Sequence, residues 1–444
     1  MKGFVGMQVH PFDFVDEGVD NVLQNMKSKA DVNAVIPIVN MIDERHPPSG
    51  TLPHNPKRET YTSRGGYVYF RPQLEHYRKT DLKPLRTDEV FLKDFDILDD
   101  TIARSKDYGM KYYAWVILFE DIIHGTRHPE CLRVDIEGNV DSTAKLCINN
   151  PMARSYYLSL IEDIVTNHEV DGIMVDRLRY FRPDEINNIF SCFCKNCMER
   201  AKETGYDAEK LKASAKQANL LLGQISSQDV RVFSSLHYGV FDALKRLMEV
   251  NGIFDIIKFR AETVAGFLKE ARDVIKDAGE KIQLTINAQC PSYSWLLGQD
   301  YRVMGEYFDW LKVMAYPQMR GKMIVNILRS KTLKGLKVEE VEAESLGAMY
   351  ALLGISGPLK VKEAEKGLPA EYVFNETLRA KSELGAGKPV YAGIQLNDAT
   401  REDIRTQLRA AKEAKADGVV YITYGFAPFE NFEIAREAWS KLLT

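Results

Sequence analysis

Eight short β-branched runs, longer amphipathic stretches between them, and a chain of 444 residues together predict a (β/α)8 barrel. Short apolar runs without alternation suit strands buried on both faces, as in a parallel sheet, and the helical-period stretches supply the crossovers that such a sheet requires. An open doubly wound sheet more often has fewer strands. Barrels of this kind run to about 250 residues and beyond as one unit, so residues 1–444 are expected to form a single elaborated barrel.

The strands are placed in order at 3–9 (GFVGMQV), 32–40 (VNAVIPIVN), 111–118 (KYYAWVIL), 171–176 (DGIMVD), 281–287 (KIQLTIN), 309–315 (DWLKVMA), 389–395 (PVYAGIQ) and 418–424 (GVVYITY). After the third, PMARSYYLSLIEDIVTNH opens with Pro151, the favoured residue for a first helical position, behind Asn149 and Asn150 as candidate caps. TREDIRTQLRAAKEAKADG begins at a capping threonine with acids in its first turn and closes on Gly418. EIAREAWSKLLT completes the ring. Two segments exceed what a barrel needs. Residues 44–90 form a long loop after strand two, whose interleaved Tyr61, Tyr67, Tyr69, Phe70 and Tyr77 argue for order. Residues 184–280 read as a helical insertion after strand four, with one long helix over 229–252.

Composition is that of an ordinary globular protein, with 45% hydrophobic and 27% charged residues. A net charge of −4 gives no attraction to nucleic acid or to an acidic membrane. No apolar run is long enough to span a bilayer, and the opening MKGFVGMQVHPFDF lacks the apolar core of a signal peptide. The expected location is cytoplasmic, or secreted with the leader already removed. The expected partner is a neutral small molecule or polymer, with homo-oligomerisation left open.

In this architecture the chemistry sits where strands end, so the polar residues following each strand are the candidates. They include His10; Asp43; Trp115, Glu120 and Asp121; Asp176, Arg179 and Tyr180; Asn287, Trp295 and Asp300; Tyr316; Gln395; and Tyr424. No serine elbow, phosphate-cradling glycine loop or H-E-x-x-H zinc pair accompanies them. Carboxylates, amides and guanidiniums bond sugar hydroxyls, aromatic faces stack on sugar rings, and paired carboxylates cleave glycosidic bonds. For Asp13, Asp16, Asp43 and Asp121 a helix cap or an arginine pair is the commoner role. Asp176 differs because it directly ends a fully apolar strand.

The block NNPMARSYYLSLIEDIVTNHEVDGIMVDRLRY resembles the asparagine-proline, helix, aspartate-glycine-isoleucine-x-x-aspartate-x-x-arginine-tyrosine block of the bacterial glycosyl-hydrolase-like family 10 proteins and related alpha-amylase-like barrels. YYAWV, LTINAQCPSYSWLLGQDY, YFDWLKVMAYPQ, PVYAGIQL and ADGVVYITYG follow in the family's order across residues 111–426. The resemblance implies a glycosidase barrel with Asp176 as nucleophile, and Arg179 and Tyr180 in the same signature. The candidates for general acid are Asp300, then Glu120, then Asp121, with Arg179 expected to keep Asp176 ionised. The expected activity is that of a retaining glycoside hydrolase on an oligo- or polysaccharide, needing no cofactor for catalysis. Two alternatives stand beside it: a non-catalytic sugar-binding barrel, and a metal-dependent hydrolase or deacetylase using His10, Asp43 and His124 or His128.

CFCKNC places Cys192, Cys194 and Cys197 in C-x-C-x-x-C spacing. Structural zinc, with Cys131, Cys147 or His128 as fourth ligand, is one reading; free packed thiols and a disulfide are the others.

Overall fold

The computed structural model describes residues 3–443 except 187–188, 237–244, 246–247, 249, 251 and 332. Eight parallel strands close into a ring: β1 (Phe4–Val9), β2 (Ala34–Pro37), β3 (Lys111–Ile117), β4 (Gly172–Asp176), β5 (Gln283–Ala288), β6 (Trp310–Val313), β7 (Val390–Gln395) and β8 (Gly418–Ile422). Each strand pairs with its sequence neighbours and β8 returns to β1, so the expected (β/α)8 barrel is what the chain forms. Closure depends on a close approach: a Cβ on Gly418 would lie 2.3 Å from the Phe4 carbonyl oxygen. Gly418 therefore opens β8 and does not close the preceding helix, which ends at Glu413. The same closure brings residue 3 against Leu443 and Trp439.

The eight wall helices are α1 (Val19–Ala30), α2 (Ile102–Asp107), α3 (Pro151–Asn167), α4 (Ile253–Ala278), α5 (Tyr301–Met304), α6 (Glu371–Leu384), α7 (Arg401–Glu413) and α8 (Phe429–Leu443). In α3 the Asn150 side chain accepts from the Ala153 amide, Pro151 fills the position with no intrahelical donor to lose, and Ala153, Tyr156, Tyr157, Leu160, Ile161 and Ile164 bury one stripe. Thr400 and Asp403 close a reciprocal capping box at the start of α7.

Strand side chains alternate in and out, so Phe4, Gly6 and Gln8 share one face of β1, and Trp310 and Lys312 share one face of β6. The amino end of the barrel is plugged by aromatic rings: Phe4 stacks on Tyr391 at 4.1 Å and lies 5.3 Å from Trp310. Further up, the same faces carry Gln8, Lys312 and Asn287, all buried. The interior thus changes from aromatic to polar toward the carboxyl ends of the strands.

Three excursions decorate that end. Residues 44–90 contain a two-stranded antiparallel sheet, Glu44–His46 with Tyr61–Ser63, and are tied to α3 through Asp163, which accepts from the Gln73 amide and the Tyr77 hydroxyl. The segment after β4 contains helices Lys195–Glu203, Ala208–Gln224 and Ser227–Leu236. The long helix expected over 229–252 is seen to Leu236; 237–244 and parts of 245–251 lie outside the described residues. Ile253–Ala278 packs on α3, so the stretch read as an insertion ends with a barrel helix. A third excursion, 317–370, was not separated from the barrel in the sequence reading; its helix Glu342–Leu353 packs against Ser227–Leu236. Among the described residues no helix is long and apolar enough to cross a membrane.

Candidate active site at the carboxyl end of the barrel

The strand ends and excursions enclose a cleft of about 290 Å³. Asp176, the last residue of β4, lies on its floor and is 5% exposed. One carboxylate oxygen accepts from Trp115 Nε1 at 3.1 Å and Asn287 Nδ2 at 2.8 Å, the other from the Arg177 amide at 2.6 Å. Three donors on three adjacent strands fix the carboxylate plane. The strand ends are also where backbone strain gathers: Phe119, Arg177, Tyr316 and Asp398, which follow β3, β4, β6 and β7, all have φ between 42° and 60°. Non-glycine residues rarely adopt this conformation, and it concentrates where side chains must be aimed with precision.

Arg179, expected as the charged neighbour of Asp176, attracts it but makes no ion pair with it among the described residues. Both Arg177 and Arg179 turn to Glu120, at 2.9 and 3.8 Å, and Arg177 reaches Glu44 at 3.3 Å. Burial works to raise the Glu120 pKa, but Arg177, Arg179, Lys145 and Arg182 overcome it and hold the group at about 2. Glu120 is thus placed as a counter-charge for the arginines and does not line the cleft. Burial lowers Arg179 to about 10 against the pull of Glu120. Burial, reinforced by Arg177, lowers His46 to about 3, and burial followed by His46 lowers His10, so both imidazoles are neutral near pH 7. Beneath the floor lies Lys312, fully buried, donating to Gln8 Oε1, with burial lowering its pKa to about 7 against the attraction of Asp176.

Of the expected site residues the cleft collects His10, Trp115, Asp176, Arg179, Asn287 and Tyr316. The others are placed elsewhere. Asp300 caps α5, accepting from the Arg302 and Val303 amides, and does not line the cleft. Asp121 caps Ile122–Arg127 and bonds His124 Nδ1 at 2.6 Å. Asp43 accepts from the Gly65 amide at 2.9 Å. Thus neither Asp300, Asp121 nor Glu120 is placed to donate a proton in the cleft, because each is committed to a cap or to arginines. Tyr180 lies behind the wall, its ring under the Arg260 guanidinium. Gln395 accepts from the Met319 amide, and the Tyr424 hydroxyl donates to Glu17. Trp295, 39% exposed, donates to the Ser292 carbonyl outside the cleft. His10, Asp43, His124 and His128 do not converge: among the described residues the only group of three or more metal-ligating side chains is a set of cysteines. That set is Cys192, Cys194 and Cys197 with Cys147, not with Cys131 or His128.

The cleft also holds residues the sequence reading passed over. Glu44, His46 and Ser49 come from the loop after β2, and Ser49 Oγ donates to Asp398 at 2.8 Å across the rim. Linear order offers no signal for that meeting. Four polar atoms around the cleft, His10 Nδ1, Arg179 Nε, Asn287 Oδ1 and the Tyr316 hydroxyl, have no hydrogen-bond partner within the protein. Such a mixture of donors and acceptors matches a ligand rich in hydroxyls.

No family model matches the chain. A curated relative, elongation factor P from Endomicrobium trichonymphae, is 30% identical over 134 residues, 29% of this chain and 66% of its own length. The chain thus spans just under two thirds of that relative, over a stretch too short to describe a barrel built from the whole chain. Solved structures are similar over the full chain. The PgaB (BpsB) glycoside hydrolase domain from Bordetella bronchiseptica has a TM-score of 0.53 at 13% identity, covering 100% of this chain and 98% of that one. A β-galactosidase from the haloarchaeon Halorubrum lacusprofundi has 0.57 at 14%, covering 99% and 58%. The catalytic domain of β-amylase from Paenibacillus polymyxa has 0.52 at 11%, covering 99% and 98%. The fold is the (β/α)8 barrel. It is shared with glycoside hydrolases of several kinds, and the likeness is not specific to family 10.

Proposed function

We propose that the chain is a glycoside hydrolase acting on an oligo- or polysaccharide, with Asp176 as its catalytic carboxylate. One observation carries this reading. Of the four carboxylates lining the cleft, Glu44, Asp184 and Asp398 are ion-paired to Arg177, Arg182 and Lys322, whereas Asp176 makes no ion pair among the described residues and is aimed by three neutral donors. A carboxylate so held is fixed in orientation and free of a competing cation, as attack on an electron-poor carbon requires.

In a retaining sequence the Asp176 oxygen attacks the anomeric carbon, the bond to the leaving oxygen breaks as that oxygen takes a proton, and water then hydrolyses the glycosyl ester. We assign the proton to Asp398. It follows β7, across the ring from β4, and its ion pair with Lys322 joins side chains 36% and 48% exposed, a weak restraint in water. Asp184 shares the wall of Asp176, and Glu44 faces the partly buried Arg177 guanidinium. No cofactor enters these steps. The glycosidase neighbours support the reading through a common scaffold; the residues above supply its detail.

A panel of nitrophenyl glycosides and polysaccharides tests the proposal. Asp176→Asn should abolish turnover, with azide rescuing it as a glycosyl azide of inverted configuration, and Asp398→Asn should give the azide of retained configuration. Full activity in Asp176→Asn refutes the assignment. The pairing of every other cleft carboxylate favours one second reading, a sugar-binding barrel without catalysis, for which calorimetric binding without turnover in the wild type is the signature.

A further inference from the structure

Behind the cleft wall, four cysteines from two distant segments meet. Cys147 lies in the segment 118–150 between β3 and α3, and Cys192, Cys194 and Cys197 begin the insertion after β4; all four are buried and unbridged. Their sulfurs all lie within 4.8 Å of one another, with Cys147 at 3.4 Å from Cys197 and 3.3 Å from Cys194. Four sulfurs around a tetrahedral zinc, each at about 2.3 Å, are about 3.8 Å apart, which the observed spacings bracket. Cys131, in the same segment as Cys147, is turned away toward Asn150 Oδ1.

The surroundings are built for negative charge on these sulfurs. The Val134 amide donates to Cys192 Sγ at 3.3 Å and the Asn149 amide to Cys197 Sγ at 3.4 Å. Both sulfurs thus already sit within reach of N–H donors of the kind that orient metal-bound sulfur. Two buried arginines stand beside the cluster. Arg260 donates to the Leu296, Ile189 and Ser191 carbonyls, and Arg133 to the Leu146, Arg179 and Tyr180 carbonyls. Among the described residues neither has a carboxylate in an ion pair, and a buried cation without a counter-charge is strongly disfavoured. A metal–thiolate complex of net negative charge would supply the missing counter-charge.

We propose that Cys147, Cys192, Cys194 and Cys197 form a tetrathiolate zinc site that clamps the wall of the cleft. Binding releases four thiol protons to solvent, forms four Zn–S bonds and leaves a complex of charge −2 facing Arg260 and Arg133. The site acts on the cleft through position, not chemistry. Arg133 bridges Leu146, next to ligand Cys147, to the carbonyls of Arg179 and Tyr180, the segment that follows Asp176. Zinc thereby joins the root of the insertion to the loop that carries the Asp176 wall.

The proposal is independent of which sugar, if any, the cleft takes. The full-length protein, purified without chelators, should contain about one zinc per chain by elemental analysis. Cobalt exchanged into the site should give intense sulfur-to-metal charge transfer and tetrahedral d–d bands. Cys131→Ser should keep the zinc and Cys147→Ser should lose most of it. Wild-type protein with six titratable thiols and no zinc, with iron in its place, or with a disulfide among the four cysteines overturns the proposal. So does equal loss of metal from the Cys131 and Cys147 variants. The wild-type measurement decides even if the Cys147 variant fails to fold.

Discussion

Lys312 offers the sharpest test of the electrostatics beneath the cleft. It is fully buried, its ammonium donates to Gln8 and lies 5.2 Å from the centre of the Tyr316 ring, and burial lowers its pKa from the usual 10.5 to about 7. The unfolded chain holds this proton until about pH 10.5, whereas the folded protein gives it up near 7. Between those values the unfolded state binds more protons, so this residue makes stability rise with pH, by up to about 1.4 kcal/mol per unit. Below pH 7 the penalty for burying the charge is complete, at about 5 kcal/mol. Lys312→Met removes the titrating group. Urea denaturation of both proteins at pH 6 and pH 8.5, at constant ionic strength, should show the wild type gaining about 2 kcal/mol relative to the variant over that interval. The lost bond to Gln8 shifts the variant by the same amount at both pH values and cancels. Parallel pH dependence in the two proteins would refute the reasoning, because it would mean that Lys312 keeps its proton inside the barrel.

Two further outcomes follow from the placement of the carboxylates. Glu120 is depressed from 4.5 to about 2, so its contribution is complete above about pH 4.5 and is lost as the pH falls toward 2. Glu120→Gln, which deprives the buried Arg179 and the partly buried Arg177 of their shared anion, should cost about 3 kcal/mol at pH 7 and flatten the acid limb of the stability curve, both read by denaturant titration. Asp300 makes only a cap, so Asp300→Ala should cost about 1 kcal/mol or less in stability and leave kcat/KM on any substrate found unchanged; a large loss of activity would restore it as a catalytic candidate.

The barrel was legible because most of its strand residues are buried and read as short apolar runs, interrupted at Gln8, Thr285 and Lys312; DGIMVD and PVYAGIQ need no context to be recognised. The third excursion was not, because Pro317–Leu328 follows β6 directly and has the period and the first-turn proline of a barrel helix. Asp176 was visible as a carboxylate that terminates an apolar strand. Asp300 misled for a physical reason: an aspartate preceding a helix looks the same in sequence whether it caps that helix or donates a proton. Lys312 carried a signal that was overlooked. A single lysine in DWLKVMA, on the face it shares with Trp310, must point into the barrel. The contributions of Glu44, His46 and Ser49 depend on how a long loop folds back over the rim, and local pattern does not encode that path.

The pairing of β8 with β1 makes the barrel a ring in which no strand is intrinsically first. With residue 3 lying against Leu443, a short peptide linker could join the two ends, and the chain could be reopened at Gly205, where an added side chain would meet nothing within 4 Å. Such a circular permutant would keep all eight parallel pairings and the cleft they carry. What specifies the site is then the cyclic order of the βα units, wherever the ring is opened.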